Sequence, residues 1–320
     1  MNRTAIEWAL NPDGSPGHTL NPITGCLNHK DGLCKGGGFP CYAYKLAQTR
    51  LKDRYLSNHN VALENMFHVF GHYEPGRLLA ASEDPFYPRF WQDKLNEIWY
   101  RWQRNLKRKL KPIGCFLCDM GDLLGKGVPV EWTKTVLEAI QAYGLETDRY
   151  YLLTKQAERL AQFSPFPRNC WVGVTACNQT MLEKSITHLM GVEAPVRFLS
   201  LEPLQGPIDL TAIKINEHQH VNALLGNTHG IPPKPSVINK WDSRIHWIII
   251  GAQTKPFKPP ELRWISKIFE DAAEEGVPVF LKNNLGPIIP RSWAPREYHN
   301  QGGWYPIPQE VPDVRGLESV

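Results

Sequence analysis

The chain has 320 residues, 42% of them hydrophobic, and a formal net charge of +4. This supplies a sizeable core and suits one barrel domain of about 200–300 residues, and 11% aromatics with 11 Trp argue against disorder. The mild charge permits a polyanionic partner without requiring one.

No run approaches the roughly 18 apolar residues of a membrane span. The opening Met1-Asn2-Arg3-Thr4-Ala5-Ile6-Glu7-Trp8 lacks the apolar run of a secretory leader. The expectation is a cytoplasmic chain with no membrane association.

In chain order, a first strand is expected at His18 to Ile23, leading into a Cys-rich loop and a helix from Cys41 to Arg54. A weak strand lies near Pro85 to Phe90, and a long amphipathic helix, Trp91 to Leu110, ends in Lys107-Arg108-Lys109. A clear alternation follows: strand Ile113–Cys118, helix Pro129–Tyr143, strand Tyr150–Thr154, helix Ala157–Phe163. Next come strand Trp171–Thr175, helix Thr180–Leu189 and strands Val196–Leu201 and His246–Gly251. Helix Glu261–Glu275 and strand Val277–Lys282 close the series.

These short Val/Ile/Leu-rich runs read as buried parallel strands with helical crossovers. With about eight strands and no Gly-rich dinucleotide fingerprint, the expected α/β fold is a closed or nearly closed (β/α) barrel with an N-terminal Cys-rich loop. The barrel is expected over residues 1–290, with an inserted loop at about 216–244 and a Pro-rich tail over 291–320. We find no internal repeat and no low-complexity tract.

Of seven Cys, three cluster as Cys26, Cys34 and Cys41. In an intracellular chain such clustering points to metal or catalysis rather than disulfides. Gly36, Gly37 and Gly38 let the backbone wrap an inorganic centre, and thiolates suit both iron–sulfur clusters and zinc. Three Cys leave one metal position open to a substrate or cosubstrate. The alternatives are a closed zinc site, with His29 or a distant Cys as fourth ligand, and unrelated free thiols. Cys115, Cys118, Cys170 and Cys177 read as small buried residues.

The run Asn21-Pro22-Ile23-Thr24-Gly25-Cys26, then Cys34, then Cys41-Tyr42-Ala43 resembles the phage-associated three-cysteine-motif family, a radical S-adenosylmethionine-like branch. The similarity continues in order through Ile6-Glu7-Trp8, Cys118-Asp119-Met120-Gly121-Asp122-Leu123 and Leu152-Leu153-Thr154-Lys155 with Glu158-Arg159-Leu160. It runs on through Trp171-Val172-Gly173-Val174 with Asn178-Gln179, Arg197 to Leu204, and Val277 to Lys282. Two departures stand out. Six residues separate Cys34 from Cys41 where the family has two, and Gly251-Ala252-Gln253 replaces Gly-Gly-Glu.

The resemblance implies a 4Fe-4S cluster on Cys26, Cys34 and Cys41, with S-adenosyl-L-methionine reductively cleaved at its open iron to a 5′-deoxyadenosyl radical. It also implies an electron donor and a methyltransferase-like three-Cys-motif partner protein.

Barrel chemistry gathers at the C-terminal ends of strands. Those ends and the motif offer Tyr42, Asp119, Asp122, Thr154, Lys155, Asn178, Glu202, Gln253 and Lys282. Acids could hold the cosubstrate's amine and a lysine its carboxylate. Asp119, Lys155, Glu202 and Lys282 are the catalytic candidates. Against this, Asp122 can cap a turn, Lys155 can be solvated, and Glu202-Pro203 can be a strand-end turn.

The basic residues and aromatics of Trp91–Leu110 can bind nucleic acid or can simply belong to a solvated barrel helix. Three classes therefore compete: a radical enzyme whose substrate could be a nucleotide or nucleic acid, a non-catalytic zinc or iron–sulfur nucleic-acid-binding protein, and an adaptor in a phage system.

Overall fold

The computed structural model describes residues 1–62, 81–230, 243–294 and 306–313. Eight strands form the main sheet: β1 (Asn2–Arg3), β2 (His18–Leu20), β3 (Gly114–Leu117), β4 (Arg149–Thr154), β5 (Cys170–Thr175), β6 (Val196–Leu201), β7 (Trp247–Ile250) and β8 (Val279–Leu281). Their order in the sheet is their order in the chain. The β1–β2 pair is antiparallel, whereas β2–β3, β3–β4, β6–β7 and β7–β8 are parallel. This is a mixed α/β fold with a large sheet.

Strands β3, β5, β6, β7 and β8 are buried at every residue, as strands covered on both faces must be. The helices are α1 (Tyr42–Gln48), α2 (Lys52–Leu56), α3 (Gln92–Lys107), α4 (Val130–Tyr143), α5 (Gln179–Met190) and α6 (Leu262–Glu274). Each longer helix buries one stripe at helical spacing: Leu95, Ile98 and Arg101 on α3, Val136, Leu137 and Ile140 on α4, Ile265, Ile268 and Ala272 on α6. No described helix is long and apolar enough to cross a membrane.

Contacts divide the chain into two compact units, Met1–Trp171 and Val172–Val320, with the division falling inside β5. The first holds β1–β4 and α1–α4. The second holds β6–β8, α5, α6 and a three-stranded antiparallel sheet of Ile213–Asn216, Gln219–Asn222 and Asn227–Gly230. That small sheet takes up the start of the expected inserted loop, and 231–242 lie outside the described residues.

Several expectations change. The helix expected over Cys41–Arg54 breaks between Gln48 and Lys52, where the Thr49 hydroxyl donates to the Lys45 carbonyl at 2.7 Å and competes with helix continuation. The strand expected at Pro85–Phe90 shrinks to Arg89–Phe90 and pairs with Ile23–Thr24 outside the main sheet, because Pro85 and Pro88 have no N–H to give a ladder. The eighth strand is β1 instead. The segment Ala157–Phe163 is a 3-10 helix.

No pairing of β8 with β1 occurs among the described residues. Within the Pro-rich tail, residues 308–310 run antiparallel to β8, with Leu281 N–H donating to the Pro308 carbonyl at 2.9 Å and Glu310 N–H to the Val279 carbonyl at 3.1 Å. Trp247 Nε1 also donates to the Glu310 carbonyl, at 2.8 Å. The β8 edge is thereby covered rather than left as a template for pairing.

Candidate metal centre

In the first unit, the loop carrying the cysteines is anchored by two glycines. Gly25 N–H donates to the Met120 carbonyl at 2.9 Å, and Gly25 and Gly121 form a bridge. Gly25 is left-handed (φ +87°), and a Cβ there would lie 2.5 Å from the Tyr87 carbonyl oxygen. A Cβ on Gly121 would lie 2.7 Å from the Gly25 oxygen. Only glycine lets these backbones pass so closely, and that contact seats Cys26 beside the turn after β3.

The enlarged spacing between Cys34 and Cys41 is folded away locally. Strand residues His29–Lys30 pair with Leu33–Cys34. Cys34 N–H then donates to Phe39 O at 2.9 Å, Gly38 N–H to Cys34 O at 2.8 Å, and Cys41 N–H to Gly32 O at 2.8 Å. Cys41 becomes the N-cap of α1, its sulfur accepting from Tyr44 N–H at 3.5 Å. Cys26 and Cys41 both pack on the apolar cluster of Ala43, Ala47, Tyr55, Phe86 and Met120. The negative charge of a Cys34 thiolate acts on Cys26, and that of Cys41 acts on Cys34.

Burial pushes the Cys26 thiol up to about 12, with the Asp122 charge adding to the rise and the Asn28 N–H and Lys155 opposing it. Burial also raises Cys34, against the pull of Lys155. His29 is ring-packed on Tyr44 and Phe86, and its buried Nδ1 has no hydrogen-bond partner among the described residues. Burial lowers its basicity, opposed by the Asp84 charge. Among the described residues, no three His, Cys, Asp or Glu side chains converge on a single ion position.

The strand-end residues of this unit form a network against Cys26. Asp122 is buried; its Oδ2 accepts from the Thr154 hydroxyl at 2.9 Å, from Gln156 Nε2 at 3.3 Å and from Lys155 N–H at 3.4 Å. Its Oδ1 accepts from Leu124 N–H at 3.1 Å. Burial raises the Asp122 carboxyl above its usual range, opposed by the Thr154 bond. Gln156 Nε2 also reaches Cys26 Sγ at 4.0 Å.

Asp119 is held by Asn21 Nδ2 at 2.7 Å, while Asn21 Oδ1 accepts from Met120 N–H at 3.0 Å. Burial raises Asp119 too, against the Asn21 bond. The Tyr42 hydroxyl donates to the Asp119 carbonyl, and Lys155 Nζ lies 5.8 Å from the Phe39 ring centre. Cys26, Cys34, Cys41, Tyr42, Asp119, Asp122, Thr154 and Lys155 thus gather beside the ends of β2, β3 and β4. Gln156 and Asn21 join them, although sequence reasoning did not single them out. Asn21 directly follows β2 and Gln156 stands two residues past β4, so the strand-end rule carried further would have found both.

The second unit holds the remaining candidates. Lys282 Nζ pairs with Glu202 Oε1 at 2.9 Å, and buried Glu202 Oε2 has no hydrogen-bond partner among the described residues. A Cβ on Gly251 would lie 2.9 Å from Lys282 Cδ, so this glycine leaves room for the pair. Gln253 turns its amide to the Pro256 carbonyl at 3.1 Å within its own hairpin. Asn178 caps α5, its Oδ1 accepting from Met181 N–H at 3.0 Å.

The donor chemistry of the first unit fits an iron–sulfur group. Three thiols share one loop system, N–H groups of Asn28 and Tyr44 point at two of the sulfurs, and a lysine stands within electrostatic reach. A family model described as protein of unknown function (DUF5131) matches residues 3–303, and the chain belongs to that family. No curated protein and no solved structure matches it.

Proposed function

We propose that this member of the DUF5131 family is an iron–sulfur enzyme of the radical S-adenosylmethionine type, related to the phage-associated three-cysteine-motif proteins. The observation that carries the reading is the refolded Cys34–Cys41 loop, which brings Cys41 back to Gly32 and onto the same apolar cluster as Cys26 despite the long spacing. The (β/α) barrel is part of the proposal and is supported by the strictly sequential strand order.

In this reading Cys26, Cys34 and Cys41 would hold a 4Fe-4S cluster, which would supply the electron for reductive cleavage of S-adenosyl-L-methionine. The chain's own residues bind and orient. Gln156 and Asn28 donate N–H groups to Cys26 and stabilise its thiolate. Asp122 fixes Gln156, and Asn21 fixes Asp119, so both carboxylates stand in set positions. The apolar cluster backs Cys26 and Cys41 on one side. An electron donor and a methyltransferase-like partner protein complete the proposal.

Anaerobic reconstitution followed by iron and sulfide analysis tests it. The expected result is a brown protein with equal iron and acid-labile sulfide that forms 5′-deoxyadenosine from S-adenosylmethionine on reduction. A colourless zinc protein, or a Cys26→Ala variant that keeps its full cluster, sinks the proposal.

A further inference from the structure

Helix α3 has an outer face that folding does not use. Its inward stripe is Leu95, Ile98 and Arg101. Arg101 is the one basic residue turned inward, bound by Asp148 through Nε at 2.6 Å and Nη2 at 2.7 Å. From Ile98 to Cys118 the sequence carries six basic residues and no acid. The other five, Arg104, Lys107, Arg108, Lys109 and Lys111, are all exposed, and none forms an ion pair with a described residue.

Among these cations stand two large exposed aromatics, Trp99 at 36% and Tyr100 at 50%, with ring centres 5.1 Å apart. Tyr100, Arg104 and Lys107 line one groove with Glu97 and Gln103. Glu97 is neutralised by Lys94 Nζ at 3.1 Å. Cations near a helix C-terminus are stabilised by the helix dipole, which accounts for Lys107 and Arg108. It gives no reason for a pair of exposed rings among them.

We infer that this face of α3 docks single-stranded nucleic acid. Arg104, Lys107, Arg108 and Lys109 meet phosphates, and the rings of Trp99 and Tyr100 take unstacked bases. Unpaired bases are the partner these rings fit, because a duplex keeps its base faces stacked and out of reach. The inference is independent of the metal centre: it uses none of its residues and holds with or without a cluster.

The test is fluorescence anisotropy of the full-length chain with a fluorescein-labelled twelve-nucleotide single strand, as DNA and as RNA, across a salt series. Competitors are the unlabelled strand, the duplex of the same sequence, and polyglutamate. Affinity should fall linearly on a log–log plot against salt. An Arg104→Glu/Lys107→Glu/Arg108→Glu variant should bind more than tenfold weaker, with a slope smaller by about 2, at about 0.7 per lost phosphate contact.

A Trp99→Ala/Tyr100→Ala variant should bind about tenfold weaker or more at unchanged slope. Tyr100→Leu alone and Lys109→Glu alone should move the same quantities in the same directions, and both are mild surface changes. Absence of binding at the lowest salt overturns the inference. So does duplex binding as tight as single-strand binding with the aromatic variants unaffected, or equal competition by polyglutamate, which would make the partner an acidic protein.

Discussion

Gln156 reaches Cys26: its Nε2 stands 4.0 Å from the sulfur while the same nitrogen donates to Asp122 Oδ2 at 3.3 Å. The side chain cannot drift, because Oε1 accepts from Lys126 N–H at 3.0 Å and Gln156 N–H is bound by the Thr154 hydroxyl at 2.9 Å. A donor aimed at sulfur favours thiolate over thiol. In the metal-free protein, Gln156→Met keeps the length and removes the donor. Alkylation of Cys26 by iodoacetamide at pH 8.5, followed by mass spectrometry, should slow by about fivefold, the worth of one hydrogen bond near 1 kcal/mol. Cys41 serves as the internal reference. An unchanged ratio of the two rates would show that the contact carries no bond energy.

Asp122 acts on the same sulfur with the opposite sign. Its negative charge is the second cause, after burial, of the high Cys26 value. Asp122→Asn removes that charge, and Cys26 alkylation should speed up where Gln156→Met slows it. Stability gives a second readout. Burial raises the Asp122 carboxyl above its unfolded value of 3.8, so the folded state resists ionisation. The resulting penalty is absent below the unfolded value and grows as pH rises toward the folded one. The melting temperature of the wild type relative to Asp122→Asn should therefore fall as pH is raised from 4 through that window, then level off. A constant difference across the series would contradict a raised Asp122.

Gly25 and Gly38 are both left-handed, yet they predict different outcomes. A Cβ on Gly38 meets nothing within 4 Å, so Gly38→Ala bears only the backbone cost of about 1 kcal/mol. A Cβ on Gly25 meets two carbonyl oxygens at 2.5 and 2.6 Å, and that overlap adds about 1–3 kcal/mol. Gly25→Ala should melt several degrees below Gly38→Ala. Because Cys26 N–H donates to the Phe86 carbonyl at 3.0 Å, one of the oxygens displaced, iron uptake should also fall in Gly25→Ala and persist in Gly38→Ala.

The sequence reveals β3 to β8 because buried parallel strands leave continuous apolar runs, and the same runs point to Asp119, Asp122 and Lys155 through the strand-end rule. It hides β1, two exposed polar residues on an antiparallel edge with no period to detect. It also hides the route by which Cys41 returns toward Cys34, since that depends on Asp31 and Gly32 both taking left-handed backbone. Asn178 and Gln253 show the limit of the rule. A polar residue after a strand serves equally well as a helix cap or a hairpin brace, and only the direction of the side chain decides.

Arg101 and Asp148 tie α3 to the start of β3, and they bear on how the outer face of α3 is presented. Asp148 accepts from Arg101 Nε and Nη2 and from Ile113 N–H at 2.9 Å, while Nη2 also reaches the Lys111 carbonyl at 2.7 Å. Both side chains are buried. Asp148→Leu leaves a buried guanidinium with one carbonyl partner and an orphaned N–H, a loss of about 3–5 kcal/mol. Arg101→Met leaves a buried carboxylate with one N–H and should cost a similar amount. The Arg101→Met/Asp148→Leu double variant buries no charge and should recover much of that stability, short of full recovery because Ile113 N–H and the Lys111 carbonyl lose their partners. Thermal melting of the four proteins checks this cycle. Additive losses in the double variant would mean that the two side chains stabilise the unit separately rather than as a pair.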